Sequence, residues 1–151
     1  MLRMSKLTDY GTLVLSQLPA GGAEPASAGL VACKTHLALP TVSKLLKALT
    51  RSGLVVSTRG SHGGYVLARA PDEITAAEII DALEGPVAIT ECSAEEGTCT
   101  IEAYCRVGSA WQRINRSIRD ALTQITLADL KRSRGPLPVP NLRSHLEAAA
   151  N

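Results

Sequence analysis

The sequence of 151 residues contains no phenylalanine, one tryptophan and three tyrosines. A core of aromatic rings is therefore excluded, and leucine, isoleucine, valine and alanine must form it. Apolar runs of membrane-spanning length are missing too, as is an N-terminal apolar segment followed by a small-residue cleavage site. We therefore predict a cytoplasmic protein with no membrane contact.

Closely spaced cysteine pairs are also missing, although the chain has four cysteines. Three of them, Cys92, Cys99 and Cys105, lie in a short acidic segment with six and five residues between them. In a reducing compartment such thiols are more often ligands or reactive groups than disulfide partners. Acid and base residues that could assist a cysteine nucleophile are not gathered around them, which argues against an enzyme.

Charge is distributed unevenly along the chain, although the net charge is only +2. Residues 1–70 carry eight Lys or Arg and a net charge of +6, whereas residues 71–151 carry a net charge of −4. This asymmetry predicts that the first half binds a polyanion.

Three helices are predicted in the basic half. An apolar repeat spans residues 7–18, Ser27 can cap a second short helix, and Pro40 and Gly53 mark the start and end of a third. On a helical wheel the third helix has an apolar arc and an opposite arc that is polar and basic. The apolar arc holds Val42, Leu45, Leu46 and Leu49, and the opposite arc holds Thr41, Lys44, Lys47 and Arg51. This polarity is typical of a helix-turn-helix, and a solvated charged face is the alternative.

A glycine-rich hairpin is predicted directly after the third helix. Two β-prone runs, residues 54–58 and 65–68, flank the tip RGSHGG. Together with the helix pair and the charge, this hairpin favours a winged helix-turn-helix that binds double-stranded DNA, although the glycines alone would also suit a tight turn. The predicted DNA contacts are Thr41, Ser43 and Lys44 near the helix start, Lys47 and Arg51 on the backbone, and Arg59 and His62 on the wing.

A long amphipathic helix follows the cysteines. Its apolar residues recur at alternating steps of four and three, at Val107, Trp111, Ile114, Ile118, Ala121 and Ile125. This a/d seam predicts a homodimer, since winged domains usually read two half-sites as symmetric dimers; a core stripe would look similar. Arg119 is predicted to face water or a partner. Upstream, Thr75 and Glu78 predict a capping box for another helix.

These motifs together resemble the winged-helix regulators of iron-sulfur metabolism, the superfamily of the IscR and NsrR regulators, and most closely the SUF-system branch. The resemblance covers roughly residues 2–130. It rests on KLTDYG, SKLLKALTRSGLV, STRGSHGGYVLAR, ITAAEIIDALEGP, the three cysteines and WQRINRSIRDALTQITLADL, in the same order. It implies a cluster-dependent repressor of iron-sulfur assembly genes, and a nitric-oxide-sensing regulator of the same fold is the alternative.

The resemblance further implies an iron-sulfur cluster, 2Fe-2S or 4Fe-4S, held by Cys92, Cys99 and Cys105. Thiolates are the preferred ligands of such clusters, while structural zinc usually takes tighter cysteine pairs. A zinc site and a direct thiol redox switch are the alternatives. In the NsrR-like branch a carboxylate from the partner subunit completes the site, and Asp9 matches it, unless it is an exposed residue paired with Lys6.

Other fourth ligands have less support. The IscR-like histidine is replaced here by Gly108, and Cys33 and His36 are weaker candidates.

We therefore predict a mainly α fold, a winged helix-turn-helix with a small β-hairpin wing and a long C-terminal dimerisation helix. The DNA-binding domain is expected in residues 1–86, the cluster-binding loop in 87–106, the dimerisation helix region in 107–130 and a flexible tail in 131–151.

Overall fold

The computed structural model describes residues 5–60, 62–90, 93 and 106–132. In chain order the described part contains α1 (Lys6–Gln17), α2 (Ala28–Thr35), α3 (Leu39–Arg51), β1 (Val55–Thr58), β2 (Gly64–Leu67), α4 (Ala76–Glu84), α5 (Gly108–Thr123) and α6 (Leu127–Arg132). β1 and β2 form an antiparallel hairpin. The predicted mainly helical fold with a small wing is confirmed. Cys92, Cys99, Cys105 and residues 133–151 lie outside the described residues.

Local signals place the starts of α2, α3 and α4 and the end of α4 where the sequence predicts them. The N–H of Leu30 donates to the Ser27 hydroxyl at the start of α2, at 3.2 Å. Thr75 and Glu78 form the predicted capping box, and α4 ends at Gly85. Pro40 lies in the first turn of α3, where its missing N–H leaves no helical hydrogen bond unmade.

The buried core is aliphatic, as the lack of phenylalanine requires. Its largest members are leucines and isoleucines from α1, α3, β2, α4 and α6 and from Ile74 just before α4, together with valines. The predicted apolar arc of α3 is buried throughout, with Val42, Leu45, Leu46 and Leu49 each at most 2% exposed. The opposite arc of α3 is therefore the one available to a ligand.

The seam helix is shorter than predicted. α5 ends at Thr123, and the carbonyl of Ile125 accepts a hydrogen bond from the N–H of Ala76 at 2.8 Å. Thr126 and Asp129 then cap a new helix, α6, through reciprocal side-chain hydrogen bonds of 3.0 and 3.2 Å. Leu127 is fully buried in the core. The prediction that Ile125 continues the seam is wrong, because this cap starts a new helix that packs back onto the core.

Glycine is required where β2 meets the segment before α2. The backbone groups of Ala26 and Tyr65 exchange two hydrogen bonds, of 3.0 and 2.9 Å. A Cβ at Gly64 would stand 2.7 Å from the carbonyl oxygen of Ala26, and backbone atoms cannot yield as a flexible side chain can.

Gly64→Ala should therefore lower the free energy of unfolding by about 1–3 kcal/mol in urea titrations. Gly29→Ala is the matched control, since a Cβ there meets nothing nearer than 3.9 Å on an exposed position of α2. It should raise stability by about 0.5–1 kcal/mol through helix propensity. Equal effects of the two substitutions would contradict this explanation.

Candidate nucleic-acid interface and cysteine region

The exposed face of α3 carries most of the predicted DNA contacts. Ser43, Lys44, Lys47 and Arg51 are exposed, while Thr41 lies at the edge of this face and is half-buried. α2 ends at Thr35, and the next residue, His36, has a left-handed backbone (φ 56°) that turns the chain into α3 within three residues. The two helices form the predicted helix-turn-helix, with α3 in the position of a recognition helix.

The wing presents the other predicted contacts at its tip. The hairpin register runs from Val55 opposite Leu67 to Thr58 opposite Gly64. Arg59 and His62 are exposed beyond the last pair. Gly60 has a φ of 113°, which only glycine adopts without strain. The tip therefore holds a basic side chain on a compact backbone, a shape that suits a minor groove.

Three carboxylates on α4 tie this helix to three other elements. Glu78 pairs with Arg69, at the exit of the wing, at 2.6 Å. Asp81 accepts two hydrogen bonds from Arg119 of α5, at 3.1 and 2.6 Å. The prediction that Arg119 faces water or a partner is therefore wrong, because a carboxylate on the neighbouring helix binds it.

Glu84 makes the third connection, to the start of α1. One of its carboxylate oxygens accepts hydrogen bonds from the N–H and hydroxyl of Ser5, both at 3.0 Å, and from the hydroxyl of Thr8. The three carboxylates recur at every third position of α4, a pattern visible in the sequence, but their partners are not. α4 thus links the wing, α5 and α1, and the cysteine segment begins directly after it.

Hydrogen bonding lowers the pKa of two of these carboxylates. Burial alone would raise the pKa of Glu78, but hydrogen bonds from Thr75 and the Arg69 guanidinium outweigh it and lower the pKa. At Glu84 the hydrogen bond from Thr8 is the largest cause, and the pKa is also lowered. The lowered pKa means that the folded protein favours the ionised form of each group.

Glu84→Gln should therefore change stability in a pH-dependent way. A carboxylate with a lowered folded-state pKa contributes stability above its unfolded-state value, 4.5, and this contribution is lost as pH falls through the folded-state pKa. At pH 7 the variant should be less stable than the wild type, and the difference should shrink below pH 4.5. Thermal melts across this range measure it, with the exposed Glu24→Gln as control. A difference independent of pH would contradict the ionic role.

The chain on either side of Cys92 is held by Asn115 of α5. The side-chain oxygen of Asn115 accepts from the N–H of Ile89 at 3.3 Å, and its amide donates to the carbonyl of Ser93 at 3.4 Å. Asn115 thus contacts the chain on both sides of Cys92, a role that periodicity did not indicate. The three cysteines themselves lie outside the described residues.

Asp9 is exposed, as a residue that binds a metal centre of the partner subunit must be. It is exposed in the first turn of α1 and, in the part of the chain that the structure describes, no ion pair joins it to Lys6. It borders a cavity of about 340 Å³ that is lined by α1, α4, α5 and α6. Cys33 and His36 are also exposed, and the described residues contain no group of three or more His, Cys, Asp or Glu that could hold a metal ion.

Comparison with known proteins agrees with this geometry. The sequence profile of the Rrf2 family, iron-dependent transcriptional regulators, matches residues 4–133. The chain belongs to the Rrf2 family. Over 138 residues it is 30% identical to protein rrf2 of Nitratidesulfovibrio vulgaris, covering 91% of this chain and 92% of that protein. Over 130 residues it is 34% identical to the HTH-type transcriptional regulator CymR of Bacillus subtilis, covering 85% and 89%.

Solved structures of Rrf2 proteins share the fold. CymR, the global cysteine regulator of B. subtilis, superposes with a TM-score of 0.66 at 33% identity, covering 89% of this chain and 100% of that one. IscR of T. potens superposes with a TM-score of 0.61 at 30% identity, covering 91% and 94%.

Rrf2 membership confirms the predicted transcriptional regulator and the superfamily that the motifs resemble. The relatives are helix-turn-helix regulators and not enzymes, as predicted. Within the described residues of this Rrf2 chain, no helix is long and apolar enough to cross a membrane. Membership alone does not set the cofactor, because one relative is a cysteine regulator.

Proposed function

We propose that this chain is an iron-sulfur-cluster-dependent transcriptional regulator, a homodimeric repressor of SUF-type iron-sulfur assembly genes that acts on operator DNA in the cytoplasm. The observation that carries the proposal is the set of three cysteines between α4 and α5, in a family of iron-dependent regulators. The cysteine segment follows α4 in the sequence, and Glu78 of α4 pairs with Arg69 at the exit of the wing, so we expect a ligand bound by the cysteines to act on the DNA-binding elements through α4.

The donor set of the chain fits a cluster. Cys92, Cys99 and Cys105 supply three thiolates, the ligands that iron-sulfur clusters prefer, and the exposed Asp9 of the partner subunit would supply a carboxylate. When bound, a cluster supplies a centre that responds to oxygen, nitric oxide or cluster supply. A carboxylate is a weaker donor to iron than a thiolate, so the bond between iron and the Asp9 carboxylate would be the first to break.

The exposed seam of α5 supports the homodimer. Val107 is 59% exposed, Trp111 39% and Ile114 45%, although all three are large apolar residues on one side of the helix. Such a contiguous apolar stripe is typical of an interface. A second copy of the chain is the occupant we propose, because two recognition helices must be presented to two half-sites.

α4 connects the cysteine segment to the recognition helix, because it packs on α3 and its Glu78 pairs with Arg69 at the exit of the wing. The segment joins the end of α4 to the start of α5, and Asp81 and Arg119 join the same two helices again. Ordering of the segment at the interface would set the angle between α4 and α5. Small rigid-body changes at a dimer interface suffice to alter half-site spacing.

The amount of iron and acid-labile sulfide in protein purified without oxygen tests the proposed cofactor. Iron and sulfide in equal amounts, with visible absorption, are expected. If the protein contains zinc and shows no visible absorption, the cysteines form a zinc site and not a cluster site. If it contains no metal, a direct thiol redox switch is the remaining explanation.

Asp9→Ala should change the visible spectrum of the purified protein and shorten the lifetime of its absorption in air. The three thiolates remain in this variant, but the fourth position passes to solvent. Asp72→Ala, another exposed acidic residue, is the control and should leave both properties unchanged. If the spectrum and lifetime of Asp9→Ala equal those of the wild type, Asp9 is not a ligand.

A further inference from the structure

The exposed face of the recognition helix carries one apolar side chain in line with its basic ones. Pro40 is exposed in the first turn of α3. Counting from it, Lys44, Lys47 and Arg51 follow at steps of four, three and four, the spacing of a single helix face. Pro40 therefore points to the same side as the side chains predicted to meet DNA.

The other exposed apolar residue at this end of α3 has a different explanation. Leu39 is 49% exposed, but it precedes the buried Val42 by three positions and the buried Leu46 by seven. It extends the core stripe beyond the end of the packed region. Pro40 lies on the opposite side of the helix. The residues on that face are exposed, so core packing does not explain an apolar side chain there.

The chemistry of Pro40 limits what it can recognise. Its ring has no hydrogen-bond donor or acceptor, and its nitrogen carries no hydrogen, so it cannot bind a phosphate or a polar base edge. The first turn of a recognition helix is the part that contacts bases in the major groove. Among the four bases only thymine presents an apolar group there, the C5 methyl.

We propose that Pro40 contacts a thymine methyl group and makes the protein select thymine at one position of each half-site. The inference rests on DNA binding through α3 and does not depend on the cluster. Proline also suits the first helical turn for backbone reasons, and that role alone would give no preference for a base.

The test combines two changes: replacement of thymine by uracil, which removes the methyl group from the DNA, and Pro40→Ser, which removes the proline ring from the protein. A duplex is first selected from a randomised pool by the full-length wild-type protein, and each conserved thymine is then replaced by uracil, which differs only in lacking the methyl group. At one thymine per half-site, uracil should weaken wild-type binding roughly fourfold, the value of one buried methyl-sized group. Pro40→Ser should bind the thymine and uracil duplexes with equal affinity.

Lys47→Ala is the control, because loss of a phosphate contact should weaken binding to both duplexes by the same factor. Thermal melts check that Pro40→Ser is folded. A uracil effect that is the same in wild type and Pro40→Ser, or a selected site without conserved thymine, overturns the role of Pro40 alone. Failure of the wild-type protein to select any sequence overturns DNA recognition through α3 together with it.

Discussion

Lys47→Ala combined with Arg51→Ala should weaken operator binding on the order of 100-fold for each bound subunit, since two charge-assisted contacts at about 1.5 kcal/mol each are lost per recognition helix. Both side chains are exposed on the face of α3 opposite the buried arc, past the first turn, where we propose that they bind phosphates and not bases. Fluorescence anisotropy with a labelled operator measures the change.

The same measurement at several salt concentrations identifies the cause. Each phosphate contact contributes about −0.9 to the slope of log affinity against log salt, so the double variant should lower the slope by about two per bound subunit. Lys131→Ala combined with Arg132→Ala, on α6, removes the same number of positive charges from outside α3 and should change the slope little. Equal losses in the two double variants would assign the effect to net charge and contradict a recognition role for α3.

Cys99→Ala should purify with almost no iron or sulfide and no visible absorption. Removing one of three thiolates leaves two soft donors, too few to hold a cluster against loss to solution. Cys33→Ala is the matched control, because that thiol is exposed on α2 and belongs to the recognition-helix unit. It should keep the full iron content.

The DNA-binding half should survive the Cys99→Ala substitution. Its core is built from α1, α2, α3, α4 and the hairpin, with Leu127 of α6 packed against them, and no described core residue comes from the cysteine segment. Unfolding temperatures of cluster-free wild type and Cys99→Ala should therefore agree. Full iron content in Cys99→Ala, or its loss in Cys33→Ala, would contradict the assignment of the cysteines.

Local structure was predictable because its determinants are local. Each correctly predicted feature involves residues within a few positions of one another. These features are the Ser27 cap of α2, the Thr75–Glu78 capping box and the apolar arc of α3. The same holds for the hairpin, whose register follows from the tip and the flanking runs.

Contacts between distant segments were not predictable from periodicity. Glu84 binds Ser5 across 79 positions, and Asp81 binds Arg119 across 38. Nothing in the spacing of one helix specifies which other helix meets it. The end of α5 is a different case. The spacing of Thr126 and Asp129 is that of a capping box and could have been recognised in the sequence, but Ile125 fits the apolar repeat of α5 and suggested that the helix continues.

The affinity of one protein preparation for its operator, measured without oxygen as the cluster is removed, tests the central claim most directly. Visible absorption and anisotropy are recorded on the same samples. We expect binding to weaken about tenfold or more as absorption is lost, a coupling within the usual range for two linked sites. Equal affinity at full and zero cluster content would contradict a cluster-controlled regulator.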